Sequence, residues 1–153
     1  MGSSGGTPDT TVARVVFDTN VVVSALVFPS GLLHCLRASW MAGRCIPVAT
    51  EDTVRELFRV LLYPKFRLSQ SDRHELLADY LPWVEWYTFQ RMPGPRCGDA
   101  ADQVFVDLAV SAKVDALVSG DAHIVSISSE LTSWGESSVR VVSPRDAVAR
   151  WCG

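Results

Sequence analysis

Between Gly98 and Asp121 the chain reads Gly-Asp-Ala-Ala-Asp-Gln-Val-Phe-Val-Asp-Leu-Ala-Val-Ser-Ala-Lys-Val-Asp-Ala-Leu-Val-Ser-Gly-Asp, and this stretch restricts the possible folds most. Val104, Phe105, Leu108, Ala109 and Ala112 recur at the spacing of one helical face. Ala116-Leu117-Val118 is a short continuous apolar run, as in a strand covered on both sides. At about 100° per residue, Asp102 falls on the flank of the apolar stripe and is held near the protein body. Asp107 falls well outside the stripe, which predicts a solvated carboxylate. Asp121 follows the strand after Ser119-Gly120, where a ligand site of an open α/β sheet lies.

The remaining chain alternates the same two kinds of element. Val12–Phe17 is β-rich and ends at Asp18-Thr19-Asn20, and a short helical turn, Val21–Leu26, follows. Leu32–Ala42 reads as a helix closed by Gly43. Ile46–Ala49 is a second strand, whose Pro47 suggests a strand start or a sheet edge. Thr50 can cap a helix over Glu51–Leu62, with Glu51 and Asp52 favourable in its first turn. Ser69 or Ser71 opens another helix through about Leu81, and Val84–Phe89 is a strand candidate. Arg91–Arg96 is a loop. A short helix and loop span Ser126–Ser138, a last strand covers Val139–Val142, and Ser143-Pro144 opens a final helix through Trp151. Alternation without repeats predicts a single α/β domain: a largely parallel sheet of about five strands flanked by helices. Residues 1–11, rich in Gly, Ser and Thr, are expected to form a flexible tail outside a domain over 12–153.

The 153 residues suffice for one hydrophobic core, and 48% hydrophobic with 20% charged residues is an ordinary globular balance. A net charge of −3 advertises no avid phosphate binder, yet admits an enzyme whose metal ions meet the phosphate. Cys35, Cys45, Cys97 and Cys152 are widely spaced, which disfavours zinc and predicts reduced buried thiols. No apolar run reaches the roughly 18 residues of a membrane span, and no signal peptide is evident. The expected setting is cytoplasmic, with no membrane partner. Five Trp and six Phe are many for one small core. Trp40, Trp83 and Trp86, near element ends, suggest self-association, because aromatics are enriched at interfaces.

Asp18 ends the first strand and Asp121 follows the fourth, so in a parallel sheet both lie on one edge. Asp18-Thr19-Asn20 is also good helix-cap chemistry. Asp102 joins them from the start of a helix. Three carboxylates about 4 Å apart repel by roughly 4 kcal/mol per pair at an effective dielectric near 20. Such a set takes up a proton or a hard cation, and oxygen ligands of this kind suit Mg²⁺ or Mn²⁺. Asn20 and Ser119 are neutral neighbours able to orient the carboxylates of Asp18 and Asp121. Glu56 is the choice for a fourth acid, although helical spacing alone does not select it. Arg96, Arg91, and Lys65 or Arg67 are candidate phosphate contacts.

Val-Val-Phe-Asp18-Thr-Asn20, Glu56-Leu-x-x-Val-Leu, Asp102 and Ser119-Gly-Asp121 together resemble the PIN-domain nucleases. The nearest branch looks like the toxin components of bacterial toxin–antitoxin pairs. The resemblance covers about Val12–Trp151. It implies four metal-binding and catalytic acids at Asp18, Glu56, Asp102 and Asp121, with Asn20 and Ser119 in support. Ser119 stands where the family often has Thr, a mild departure. Asp99, in the acidic run before the third acid, would cap the helix or hold a metal-bound water. The implied activity is Mg²⁺- or Mn²⁺-dependent cleavage of RNA to a 5′-phosphate and a 3′-hydroxyl, in a homodimer with a possible cognate antitoxin. His34, His74 and His123 are not required, and His123 is expected to be structural. Two other classes stand beside this reading: another Mg²⁺ phosphotransfer α/β enzyme, and a non-catalytic interaction module. Response regulators need a Lys after a late strand, which is absent after Val118; haloacid-dehalogenase phosphatases need Asp-x-Asp, and position 20 is Asn.

Overall fold

Val15, Val16 and Phe17 are apolar in succession, and the strand that they build is buried on both faces. In the computed structural model, which describes residues 12–88 and 90–153, this strand is β1 (Ala13–Phe17), the middle of a five-stranded sheet. The other strands are β2 (Cys45–Ala49), β3 (Glu85–Trp86), β4 (Ala116–Val118) and β5 (Arg140–Val142). Their order is β3-β2-β1-β4-β5, and every pairing is parallel. The expected tail, 1–11, lies outside the described residues.

Eight α-helices cover the sheet among the described residues: α1 (Thr19–Val27), α2 (Cys35–Met41), α3 (Glu51–Leu61), α4 (Gln70–Ala78), α5 (Ala100–Ser111), α6 (Ala122–Val125), α7 (Ser128–Thr132) and α8 (Pro144–Trp151). Strand alternation divides the core in two. Val15 and Phe17 of β1, with Ala116 and Val118 of β4, face one apolar cluster that includes Leu36 and Trp40 of α2. Val16 and Leu117 face the other, built on α5 with Ile124 and Leu131. Capping sets where the helices begin. Thr50 and Thr53 exchange backbone and side-chain hydrogen bonds at α3, and Ser69 with Asp72 does the same at α4. Of the two serines that the sequence leaves open, Ser69 is the cap.

Several expectations need correction. Pro47 lies in an interior strand. It sits opposite Val15 on one side, while β3 pairs only with Val48 and Ala49, so its missing N–H interrupts nothing there. The strand expected over Val84–Phe89 shrinks to Glu85–Trp86; Phe89 lies outside the described residues. The helix expected over Leu32–Ala42 begins as a 3-10 turn, Leu32–His34, and the one expected to reach Leu81 ends at Ala78. Cys45 and Cys97 are free and buried as expected, whereas Cys35 and Cys152 form a disulfide tying the start of α2 to the end of α8. Trp40 is core: its ring packs edge-on against Phe17 and Tyr80, and Nε1 donates to the Asp79 carbonyl at 2.7 Å.

The largest error concerns Asp107, which is 2% exposed. The loop before α5 crosses that helix's outer face and buries it. Asp107 Oδ1 accepts from Gly94 N at 2.8 Å and from Gln103 Nε2 at 2.9 Å, and Cys97 N donates to Gln103 Oε1 at 3.0 Å. Gly94 is required by this close approach, since a Cβ there would sit 2.9 Å from Val106 Cγ1. Among the described residues, no single helix is long and apolar enough to cross a membrane.

Candidate metal and nucleic-acid site

The chain leaves β1 for β2 and β3 on one side, then returns through α5 to place β4 on the other. The order therefore reverses between β1 and β4, and the crevice beyond their carboxyl ends is where such sheets bind ligands. A backbone bond joins the two ends, Asp18 N donating to Val118 O at 3.1 Å, and Ser119 N donates to Val142 O of β5 at 3.1 Å.

Three of the acids reach this crevice from helix starts. Asp18 caps α1 through Oδ1, which accepts from Val21 N at 2.9 Å. It is buried, and burial pushes its carboxyl pKa up, against the opposing pull of the Ser119 hydroxyl and the Val21 N–H. Asp121 caps α6: its Oδ1 accepts from His123 N at 2.8 Å, which holds its pKa below the usual carboxylate range. Asp102 stands in the first turn of α5. Desolvation first, then the shared hydrogen bond and charge of Asp121, with smaller parts from Asp99 and Asp18, push its pKa up to about 6. Of the pair, Asp102 is therefore the more readily protonated and Asp121 the more readily ionised.

One cleft of about 430 Å³ is lined by Asp18, Asn20, Glu56, Asp102 and Asp121, so the four predicted acids meet one space. Glu56 of α3 reaches it while paired with Arg59. Thr19 lines it too, and its hydroxyl oxygen is buried with no hydrogen-bond partner among the described residues.

The supporting residues divide. Ser119 is fully buried beside Asp18, and its Oγ accepts from the backbone Asp121 N at 3.0 Å. Asn20 is exposed on the cleft wall and makes no hydrogen bond to Asp18 among the described residues. Asp99 takes the capping role: its Oδ1 accepts from Ala101 N at 2.9 Å and Asp102 N at 3.1 Å. Of the four predicted phosphate contacts, Lys65 alone lines the acid cleft, beside Arg59, which is paired with Glu56. Arg91 lines a neighbouring cleft and pairs with Asp107 at 3.3 Å. Arg67 and Arg96 are exposed and line neither cleft.

Sequence reasoning undervalued His123. Its Nδ1 lies 3.1 Å from Asp121 Oδ1 and 3.7 Å from Asp102 Oδ2. Asp99, Asp102 and His123 each present a ligand atom, all within 4.8 Å of one another. The signal was its place two residues after Asp121, at the second position of a helix whose cap the acid forms. The donor set fits a divalent cation: burial and the neighbouring carboxylates raise the pKa of Asp102, and a cation would relieve the same repulsion. The orphaned Thr19 hydroxyl leaves a polar contact open to a hydrated occupant.

A family model described as a PIN domain matches residues 14–123, well over half of the chain. No curated protein matches it.

Proposed function

Because the chain belongs to the PIN-domain family, whose members are generally metal-dependent nucleases, we propose that it is a metal-dependent ribonuclease. The observation that carries this reading is the convergence of Asp18, Asp102 and Asp121, from three separate elements, on one cleft at the switch point of the sheet. With Glu56 completing the set, they would hold Mg²⁺ or Mn²⁺. A bound cation of this kind lowers the pKa of its water and offsets charge on a phosphodiester.

The chain's own residues do the remaining work. Ser119 and the His123 N–H fix the backbone and one oxygen of Asp121, so that carboxylate meets its ligand without reorganising. Asp102, with its pKa raised only to about 6, is largely ionised at neutral pH and so available as a ligand. Lys65 stands over the Phe66 ring at 5.2 Å and pairs with no carboxylate among the described residues, which suits a phosphate contact. Cleavage would leave a 5′-phosphate and a 3′-hydroxyl. A toxin role with a small antitoxin encoded beside it, and a homodimeric state, belong to the same proposal.

The test is cleavage of single-stranded RNA by the purified chain. Mn²⁺ or Mg²⁺ should support cutting, and EDTA or Asp18→Asn should abolish it. Cutting that survives both would come from a contaminant and leave the reading without support.

A further inference from the structure

The acid cleft is the middle of a longer trough. On one side it shares Asp52 and Val104 with a cleft of about 730 Å³ lined by Trp86 and Arg91. On the other it shares Asn20, Lys65 and Phe66 with a cleft of about 480 Å³ that Phe28 lines. Each flank has the volume of a small-molecule site.

Both flanks carry an exposed aromatic ring that lies outside the two core clusters. Trp86 is 45% exposed and belongs to neither core cluster, whereas the next residue, Tyr87, packs against the second. Phe28 is 47% exposed and meets Phe66 edge-on, with centroids 6.0 Å apart. Uncompensated positive charge is scarce in the trough. Arg59 is paired with Glu56 and Arg91 with Asp107, which leaves Lys65. A ligand held here gains little from phosphate contacts and much from flat apolar surface.

We propose that Trp86 and Phe28, flanking the acids, are stacking platforms for bases on either side of the scissile phosphate of a single-stranded RNA. This rests on the ribonuclease reading and adds its substrate class. A duplex hides its base faces and cannot use either ring, whereas an unpaired strand presents them. The indole stands at the carboxyl end of the edge strand β3, where no further strand among the described residues covers it. Binding should depend weakly on salt, since few phosphates are neutralised.

The experiment measures binding of a fluorescein-labelled oligoribonucleotide by anisotropy, in EDTA so that the strand stays intact, with its blunt duplex beside it. The parent should prefer the single strand. Trp86→Ala should raise Kd about 10- to 100-fold, the loss expected for one stacked base, and Phe28→Ala should raise it as well. Trp86→Phe should keep most of the affinity while losing the quenching of tryptophan emission that RNA causes in the parent. Should Trp86→Ala fail to fold, Trp86→Phe decides. Parent-like affinity in Trp86→Ala, parent-like quenching in Trp86→Phe, or equal affinity for the duplex would overturn the platform. A parent that cuts RNA while Trp86→Ala shows an unchanged KM loses only the platform. A parent that binds the strand through Trp86 but cuts nothing with Mn²⁺ loses the ribonuclease reading instead.

Discussion

Asp102→Asn keeps the shape of the side chain and removes one charge from the cluster. The Asp102 side chain is 18% exposed, and its pKa stands at about 6 against an ordinary 3.8. A displacement of that size is worth about 3 kcal/mol. Its sign opposes folding. The folded protein holds the proton more tightly than the unfolded chain, so stability is lost as pH rises from 3.8 through about 6. Asp121 works the other way: its depressed pKa contributes stability above the ordinary carboxylate range, lost as pH falls. The two share one proton, so much of the difference cancels, and the Asn amide can still donate to Asp121. The net gain for Asp102→Asn in EDTA near neutral pH should be about 1 kcal/mol, vanishing near pH 4. In Mn²⁺ the parent gains a ligand bond that the amide makes poorly, and the order should shrink or reverse. A cation at 100 times its Kd stabilises the parent by about 2.7 kcal/mol. The assay is urea unfolding of parent and variant, in EDTA and in Mn²⁺, at pH 4 and near neutrality, with RNA cleavage measured alongside. A stability difference indifferent to pH and metal, combined with full activity, would falsify the placement of Asp102 in the metal site.

The other carboxylate of the same helix should behave differently. Asp107→Ala strands the Gly94 N–H and the Gln103 amide in the interior and should cost about 2–3 kcal/mol, equally with and without metal; equal urea midpoints for variant and parent would show that the loop does not depend on it. The Cys35–Cys152 disulfide closes a separation of 117 residues. Reducing agent, or Cys152→Ser, should lower stability by about 2–4 kcal/mol, and unchanged melting would mean that the thiols are unpaired in solution. Light scattering at micromolar concentration should report a dimer, and a strict monomer would remove that proposal.

The local signals were legible in the residues themselves. An apolar triplet too short for a helix marked β4, and the caps Thr50 and Ser143 marked helix starts, because each satisfies N–H groups within its own turn; the choice between Ser69 and Ser71 needed the structure. The acids Asp18 and Asp121 could be placed on one edge from strand direction alone. What depends on distant chain could not be read. Asp107 occupies a polar position by helical period, yet a loop more than ten residues earlier covers it, and periodicity describes one helix against one surface. The Cys35–Cys152 pair lies far apart in sequence, so only the docking of α8 beside α2 brings it together. Trp40 had interface chemistry until α2 turned its ring into the core. His123 joined the site because capping by Asp121 winds the next residues back over the carboxylates. The strand order, which puts β1 beside β4 and so creates the crevice, is a property of the assembled sheet. Sequence settled which groups carry charge and where elements begin; tertiary structure decided which charges share a dielectric, because desolvation and proximity arise only after packing.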